Sequence, residues 1–203
     1  KNLNDTASAM LTQLLEDKGI TVLTGVETER FDGETLYLKD GAQLTADVVI
    51  VSCGVRANGA LAAEAGADMG KAVANEKMET SLPDVYGAGD CVEFGGKNYA
   101  LWPEASRQGE VAGANAAGDD LTFTDEIYGM SMDVAGAGLY TIGTTAGDLP
   151  FRTVEFKDPA RGNLKQYFFL DDTLCGVTLL GDTSLLGQVT EQVNGKAAYE
   201  TLF

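Results

Sequence analysis

The stretch Thr80-Ser-Leu-Pro-Asp-Val-Tyr-Gly-Ala-Gly-Asp90 carries the strongest fold signal in this chain. It consists of a turn-rich start, a short apolar run, three small residues and a final acid. This order predicts a buried strand that delivers a carboxylate to the carboxyl edge of a sheet, where open α/β sheets bind ligands. Gly89 lets a ligand lie against the backbone, and Asp90 offers two acceptors to sugar-like hydroxyl groups. Alternatively, Pro-Asp is ordinary turn chemistry and Gly-Asp is a plain strand end.

The same eleven residues, continued by Cys91-Val-Glu93, resemble the second flavin-binding motif of the FAD-dependent pyridine nucleotide-disulfide oxidoreductases. The branch they resemble contains NADH oxidases, rubredoxin and ferredoxin reductases, and the flavin part of nitrite reductases. The resemblance implies that Asp90 holds the ribityl chain of FAD and that Gly89 permits its approach. It also implies that Thr80 and Ala88 shape the loop around the cofactor.

A helix is predicted after this motif, because Pro103 suits a first turn and the residues that follow have helical spacing. Its inner face is predicted to carry Ala105, Gln108, Val111, Ala112 and Asn115. The segment 101–115 resembles the family helix whose N-terminus faces the flavin pyrimidine ring, which makes Trp102 a neighbour of the isoalloxazine. From the residues alone, Trp102 could equally be a core or interface tryptophan, and Glu104 a first-turn acid that complements the helix dipole.

The residues before the motif predict half of a doubly wound domain. A helix is expected from Asn4 or Asp5 to about Lys18, with Gly19 ending it. Short strands are predicted over 21–23, 26–31 and 35–39, with Asp32-Gly33 as a hairpin turn. The apolar run 47–54 predicts a strand that is buried on both faces.

This upstream part resembles the second half of the family's NAD(P)H domain and its exit strand, ending in Gly54-Val-Arg-Ala-Asn58. The family commonly has proline where Ala57 stands. Gly54 is then expected at the crossing between the two nucleotide domains, and Arg56 could equally be a surface cation. No Gly-x-Gly-x-x-Gly turn precedes the first helix, so the usual pyrophosphate site is missing. We therefore expect the chain, which begins with Lys1, to be the C-terminal half of a family member.

The last third of the chain predicts an antiparallel sheet, with short strands over 130–134, 139–142, 151–156, 164–170 and 174–180. Helices over 184–194 and 197–202 are expected to cover one face. This part resembles the family's C-terminal domain, which makes subunit contacts in many relatives, so a homodimer is possible.

The fold class predicted from these patterns is α/β plus α+β. A partial doubly wound nucleotide-binding region, of the FAD/NAD(P)-binding kind, is followed by an antiparallel-sheet C-terminal interface domain. The boundaries predicted are 1–56 for the second half of the NAD(P)H-binding domain, 57–118 for the C-terminal segment of the FAD-binding domain, and 119–203 for the interface domain.

Composition narrows the possible functions. A net charge of −17 argues against nucleic acid or an anionic membrane surface as a partner. The absence of histidine excludes a histidine base, ligand or triad, and no metal site is predicted. The cysteines at 53, 91 and 175 are far apart, which fits a reducing cytoplasm and excludes a dithiol motif. No membrane span or signal peptide is recognisable, so a cytoplasmic location is expected.

The function predicted by the resemblance is that of an FAD-dependent oxidoreductase. It would pass hydride from NADH or NADPH to flavin and electrons on to an unknown acceptor, and no side chain of this chain is predicted to be catalytic. The chain alone is expected to bind FAD weakly or not at all and to have no turnover. The alternative is a non-enzymatic dimerisation or interaction module built on the region after Asp119.

Overall fold

The computed structural model describes residues 2–67 and 74–203 and divides the chain into two compact units. One unit combines residues 1–51 with 127–203, and the other contains residues 52–126. The boundaries predicted at 56/57 and 118/119 stay predictions, and part of the segment 57–118 lies outside the described residues.

Helix α1, Asp5–Glu16, confirms the first predicted helix. The side chain of Asn4 accepts a hydrogen bond from the Ala7 N–H at 3.0 Å and thereby caps the helix. Gly19 follows the helix with a φ of +79°, the left-handed conformation that commonly ends a helix. Ala7 is fully buried and packs on one face of the large sheet described below.

A small antiparallel sheet follows, made of β1 (Thr28–Phe31), β2 (Thr35–Leu38) and β3 (Gln43–Thr45). The Asp32 carboxylate accepts hydrogen bonds from the N–H groups of Glu34 and Thr35 at 3.1 and 2.9 Å, so the predicted hairpin turn is confirmed. The strand predicted over 21–23 is wrong, because those residues have no regular secondary structure.

The prediction of a buried strand over 47–54 is also wrong. Residues 46–59, here called the uncovered segment, contain no strand, and most of their large apolar side chains are exposed. Val48 is 75%, Ile50 85% and Val51 79% exposed. No strand among the described residues pairs with this segment, so no sheet covers it.

The large sheet has five antiparallel strands in the order β4-β5-β8-β7-β6. Their bounds are Met130–Val134, Ala137–Gly143, Arg152–Asp158, Asn163–Leu170 and Thr173–Gly181, for β4 to β8 in turn. Two helices follow, α4 (Leu186–Asn194) and the short α5 (Tyr199–Leu202). All five predicted strands and both predicted helices are thus confirmed.

Each face of the large sheet buries its own apolar cluster. On one face, Ile142, Val177 and Leu179 pack with Val189 and Val193 of α4. On the other face, Ala7 of α1 packs in a second cluster whose sheet members are Leu139, Leu164 and Leu180. Because residues i and i+1 of a strand point to opposite faces, β8 is buried on both sides, which explains its nearly continuous apolar sequence.

The unit of residues 52–126 contains the helices α2 (Ala60–Glu64) and α3 (Trp102–Ala116) and a short 3₁₀ turn, Gly89–Cys91. The helix predicted after Pro103 is confirmed. The strand predicted to end at Gly89 is wrong, because among the described residues of this unit a single bridge, from Tyr86 to Glu79, is all the pairing it makes. The apolar residues of this unit pack on α3 through Val111 and Ala112.

No helix within residues 2–67 and 74–203 is long and apolar enough to cross a lipid bilayer. In the same ranges, no group of three histidine, cysteine or acidic side chains is placed to hold a metal ion.

Candidate functional site

A groove of about 300 Å³ lies where the Gly-Asp motif meets the beginning of α3. Five residues line it: Asp90, Ala100, Leu101, Trp102 and Ala105. Its volume is at the low end of small-molecule pockets, so it can hold one part of a larger ligand. Trp102 is 90% exposed, which rules out the core position that was one of the alternatives predicted for it and leaves the flavin-neighbour and interface positions.

The Gly89–Cys91 turn is held so that the carboxylate of Asp90 faces solvent. Gly89 has a φ of +79°, and its N–H donates a hydrogen bond to Oε1 of Gln108 at 2.8 Å. Nδ2 of Asn98 donates to the carbonyl oxygens of Asp90 and Val92 at 2.7 and 2.8 Å. Backbone contacts therefore fix the turn and leave both carboxylate oxygens of Asp90 available to a ligand.

The N-terminus of α3 is the second wall of the groove. Leu101 occupies the cap position and supplies no side-chain hydrogen bond, and a proline stands in the first turn. The positive end of a fifteen-residue helix is therefore left without a side-chain cap beside the groove. A negative or electron-rich group of a ligand would be stabilised there.

Glu104 is the one acid in this first turn, and it points away from water. Only 3% of its surface is exposed, and its Oε2 is buried without a hydrogen-bond partner among the described residues. Burial raises the pKa of Glu104 above its usual range, and the negative charge of Asp125 adds to that effect. Glu104 does stand in the first turn, where an acid complements the helix dipole as predicted, but its burial was not predicted.

A charged cluster stands next to Glu104. Nζ of Lys97 lies 2.8 Å from Oδ2 of Asp125, and the hydroxyl of Tyr99 donates to Oδ1 of the same carboxylate at 2.6 Å. The hydrogen bonds from Lys97 and Tyr99 lower the pKa of Asp125 below its usual range. Burial, followed by this hydrogen bond, raises the pKa of Tyr99. Asp125 is thus held as a carboxylate.

The structure brings together most of the residues that the sequence singled out. Asp90 and Trp102 line one groove, and Gly89 adjoins it, since a Cβ added there would lie 3.5 Å from Cβ of Ala105. The carbonyl oxygen of Ala88 accepts a hydrogen bond from Sγ of Cys91 at 3.3 Å.

Thr80 and Gly54 lie outside the groove. The Thr80 hydroxyl donates to the carbonyl oxygen of Val85 at 2.8 Å and accepts from the N–H of Leu82 at 3.2 Å, so it shapes the start of the loop. Gly54 belongs to the uncovered segment, has a φ of +105°, and has open space where a side chain would begin.

Two contacts that build the site were not predicted. Gln108 was placed on the inner face of α3, but its hydrogen bond to Gly89 was missed, as was the hydrogen bonding of Asn98 to the turn. A signal for the first was present. Glu104, Gln108 and Asn115 put three polar side chains on a face that is otherwise apolar, and buried polar groups need partners.

The chemistry of the groove fits part of a flavin nucleotide. The Asp90 carboxylate can accept hydrogen bonds from ribityl hydroxyls, Gly89 keeps the approach open, and Trp102 offers an exposed aromatic face for a planar ring. The uncapped end of α3 supplies positive potential.

Within the described residues, the three cysteines form no recognisable redox arrangement. Cys53 and Cys91 are exposed, and Cys175 is half-buried, with burial raising the pKa of its thiol. The prediction that no side chain of this chain is catalytic, these cysteines included, stays a prediction.

Comparison with known proteins agrees with the geometry. The sequence model of the family described as pyridine nucleotide-disulphide oxidoreductase matches residues 1–109, which include the whole Gly-Asp motif and the beginning of α3. The chain is 31% identical over 189 residues to the assimilatory nitrate reductase electron transfer subunit of Bacillus subtilis, which covers 90% of this chain and 24% of that protein. It is 33% identical over 165 residues to an NADH oxidase of Methanocaldococcus jannaschii, covering 73% of this chain and 37% of that protein.

A solved structure shares the fold. An FAD-dependent pyridine nucleotide-disulphide oxidoreductase from Desulfovibrio vulgaris superposes with a TM-score of 0.83 at 24% identity, over 98% of this chain and 55% of that one. This likeness confirms the predicted fold class, a partial nucleotide-binding region with a sheet domain. The chain spans between about a quarter and about half of the length of these three proteins.

Proposed function

Because the chain belongs to the pyridine nucleotide-disulphide oxidoreductase family, we propose that it is part of a longer FAD-dependent enzyme that takes hydride from NADH or NADPH and passes electrons to an acceptor. The observation that carries the proposal is the groove between Asp90 and Trp102, in which an exposed carboxylate and an exposed aromatic ring flank an uncapped helix end. Both the electron-transfer name of the nitrate reductase relative and the NADH oxidase relative support this activity.

In this proposal the residues of the chain bind and orient the cofactor rather than react. Asp90 accepts hydrogen bonds from the ribityl hydroxyls, Gly89 leaves room for the chain of the ligand, and Trp102 borders the ring system. Thr80 and Ala88 keep the loop in shape through the hydrogen bonds described above. When bound, FAD would supply the hydride and electron chemistry itself.

Three further parts of the proposal depend on the whole protein. Gly54 would lie at the crossing between the two nucleotide domains, where its positive φ lets the chain turn. The domain limits 1–56, 57–118 and 119–203 are proposed on the same basis, as is a cytoplasmic location. Without the remaining nucleotide-binding elements, we expect this chain alone to have no turnover and to bind FAD weakly or not at all.

A homodimer is proposed at the β6 edge of the large sheet. Phe156 of β6 and Phe203 stack with ring centroids 5.9 Å apart, and each is 51% exposed. An exposed aromatic pair at an edge strand is the kind of surface that a second subunit covers. Sedimentation of the wild type and of Phe156→Lys distinguishes a dimer through this edge from a monomer.

The function is tested by FAD titration of the full-length protein with two matched substitutions. Asp90→Asn removes the charge that binds the ribityl hydroxyls, and we expect it to weaken FAD binding about tenfold or more, since a hydrogen bond to a charged group contributes about 1.5–3 kcal/mol. Asp84→Asn is the control, because Asp84 lies in the same motif, is exposed, and has a φ of +60° that asparagine tolerates.

The two substitutions separate the competing functions. Loss of affinity in Asp90→Asn alone supports the flavin site. Equal FAD binding by both variants would contradict the role of Asp90. A wild-type protein that takes up no FAD would contradict the enzyme function and favour the interaction module.

A further inference from the structure

The buried acid at the beginning of α3 interacts with its own backbone N–H, which leaves one buried carboxylate oxygen unexplained. Glu104 stands in the first helical turn, almost fully buried, and its Oε2 has no hydrogen-bond partner among the residues that the structure describes. Acidic side chains are rarely buried unless they are paired, because an ionised carboxylate is costly away from water. Glutamine or an apolar residue would fill the same space at lower cost in stability.

We propose that Glu104 is a positioning residue that couples proton uptake to the reduction of the flavin in the groove. Leu101, Trp102 and Ala105 line that groove from the same helical turn. A charge on Glu104 therefore lies within about one helix diameter, roughly 10–12 Å, of the ligand. Because Glu104 is almost fully buried, water screens its charge poorly, so that charge acts appreciably on the groove. The inference rests on the proposed function.

The charged groups on the elements around Glu104 are Asp125 with its partners, Arg107 with Glu110, and Asp90. Asp125 is held as a carboxylate by Lys97 and Tyr99, and its charge together with burial favours the neutral form of Glu104. Arg107, one turn further along α3, lies 2.6 Å from the carboxylate of Glu110. Asp90 faces solvent on the groove side of the helix.

The charge balance of the coupled step is simple. Hydride transfer would move two electrons and one proton from NAD(P)H to a bound flavin, leaving oxidised nicotinamide nucleotide and one added negative charge in the groove. That charge would raise the proton affinity of Glu104, so that a carboxylate still ionised before reduction would bind one proton from solvent by forming an O–H bond. At a pH high enough to keep Glu104 ionised in both redox states, its charge opposes reduction.

The experiment is a measurement of the flavin midpoint potential against pH in the full-length, FAD-loaded protein. Wild type and Glu104→Gln are expected to have equal potentials in acid, where Glu104 is neutral in both redox states. At high pH the wild-type potential is expected to lie about 30 mV below that of Glu104→Gln, which corresponds to a tenfold change in proton affinity for a two-electron couple. Glu110→Gln, an exposed acid on the same helix, is the control and should follow the wild type.

Each outcome decides a different point. If all variants hold flavin and NADH bleaches it, but Glu104→Gln matches the wild type at every pH, the inference is wrong and the proposed function stands. If no variant holds flavin, both are wrong. If Glu104→Gln does not fold, infrared spectra of the present wild-type chain decide. The C=O band of a protonated carboxyl should persist above the pH at which exposed glutamates ionise, and its absence would overturn the inference.

Discussion

The five-stranded sheet and the uncovered segment have similar sequences and opposite environments. Val177, Leu179 and Leu180 of β8 are fully buried, because strands flank β8 on both sides and helices cover both faces. Val48, Ile50 and Val51 form an equally apolar run, yet more than 70% of each is exposed. An apolar run therefore shows what a segment is able to bury, whereas burial itself requires neighbours.

The largest effect is expected from matched isoleucines in the two regions. Ile142 is 1% exposed and Ile50 is 85% exposed. Ile142→Ala should lower the free energy of unfolding by about 2–5 kcal/mol, since it opens a cavity in a packed core. Ile50→Ala should change it by less than about 0.5 kcal/mol. Urea unfolding followed by circular dichroism measures both, and equal losses would show that the segment is packed after all.

A smaller effect is expected from matched glycines that both have positive φ. Gly89→Ala should cost about 1 kcal/mol, because the Gly89–Cys91 turn is fixed by hydrogen bonds and cannot relax the left-handed strain. Gly54→Ala should cost clearly less, since its surroundings are open and the segment can change conformation. Thermal unfolding of the two variants checks the difference. A greater loss in Gly54→Ala would mean that the uncovered segment is conformationally fixed.

The smallest effect is a pH dependence at the end of β8. Hydrogen bonds from Ser184, followed by one from Lys165, lower the pKa of Asp182 to about 2. Since the unfolded value is about 3.9, the stability from this carboxylate is present above about pH 4 and is lost as the pH falls towards 2. Asp182→Asn should therefore reduce the loss of folding stability that occurs as the pH falls from about 4 towards 2.

The control for that titration is Asp47→Asn, at the beginning of the uncovered segment. Urea midpoints of the three proteins between pH 2 and pH 5 give the comparison. A wild-type profile that is unchanged by Asp182→Asn, or one that is changed equally by Asp47→Asn, would contradict the assignment to Asp182.

Much of the fold follows from local patterns. We predicted the cap at Asn4 and the turn at Asp32-Gly33, which depend on local hydrogen bonds. We also predicted every strand of the large sheet, because each pairs with a hairpin neighbour that is close in sequence. The strands predicted over 47–54 and up to Gly89 were wrong for the opposite reason. Each depends on pairing with distant strands, and no such pairing exists among the described residues.

The sequence predicted which residues form the candidate site, but not the contacts that hold them in place. Asp90, Gly89 and Trp102 were identified through a motif, and the structure places them at one groove. The hydrogen bond from Gly89 to Gln108 and the burial of Glu104 depend on how α3 turns against the loop. That rotation is set by tertiary packing on Val111 and Ala112, which no local pattern specifies.

The central claim is that this chain contributes to a flavin site that accepts hydride. The most direct measurement is the visible absorbance of the full-length protein, loaded with FAD and mixed with NADH or NADPH in the absence of oxygen. We expect the flavin bands to be present and to bleach after addition of one of the two nucleotides. A protein that stays colourless after incubation with FAD, or whose flavin neither nucleotide bleaches, would contradict the claim.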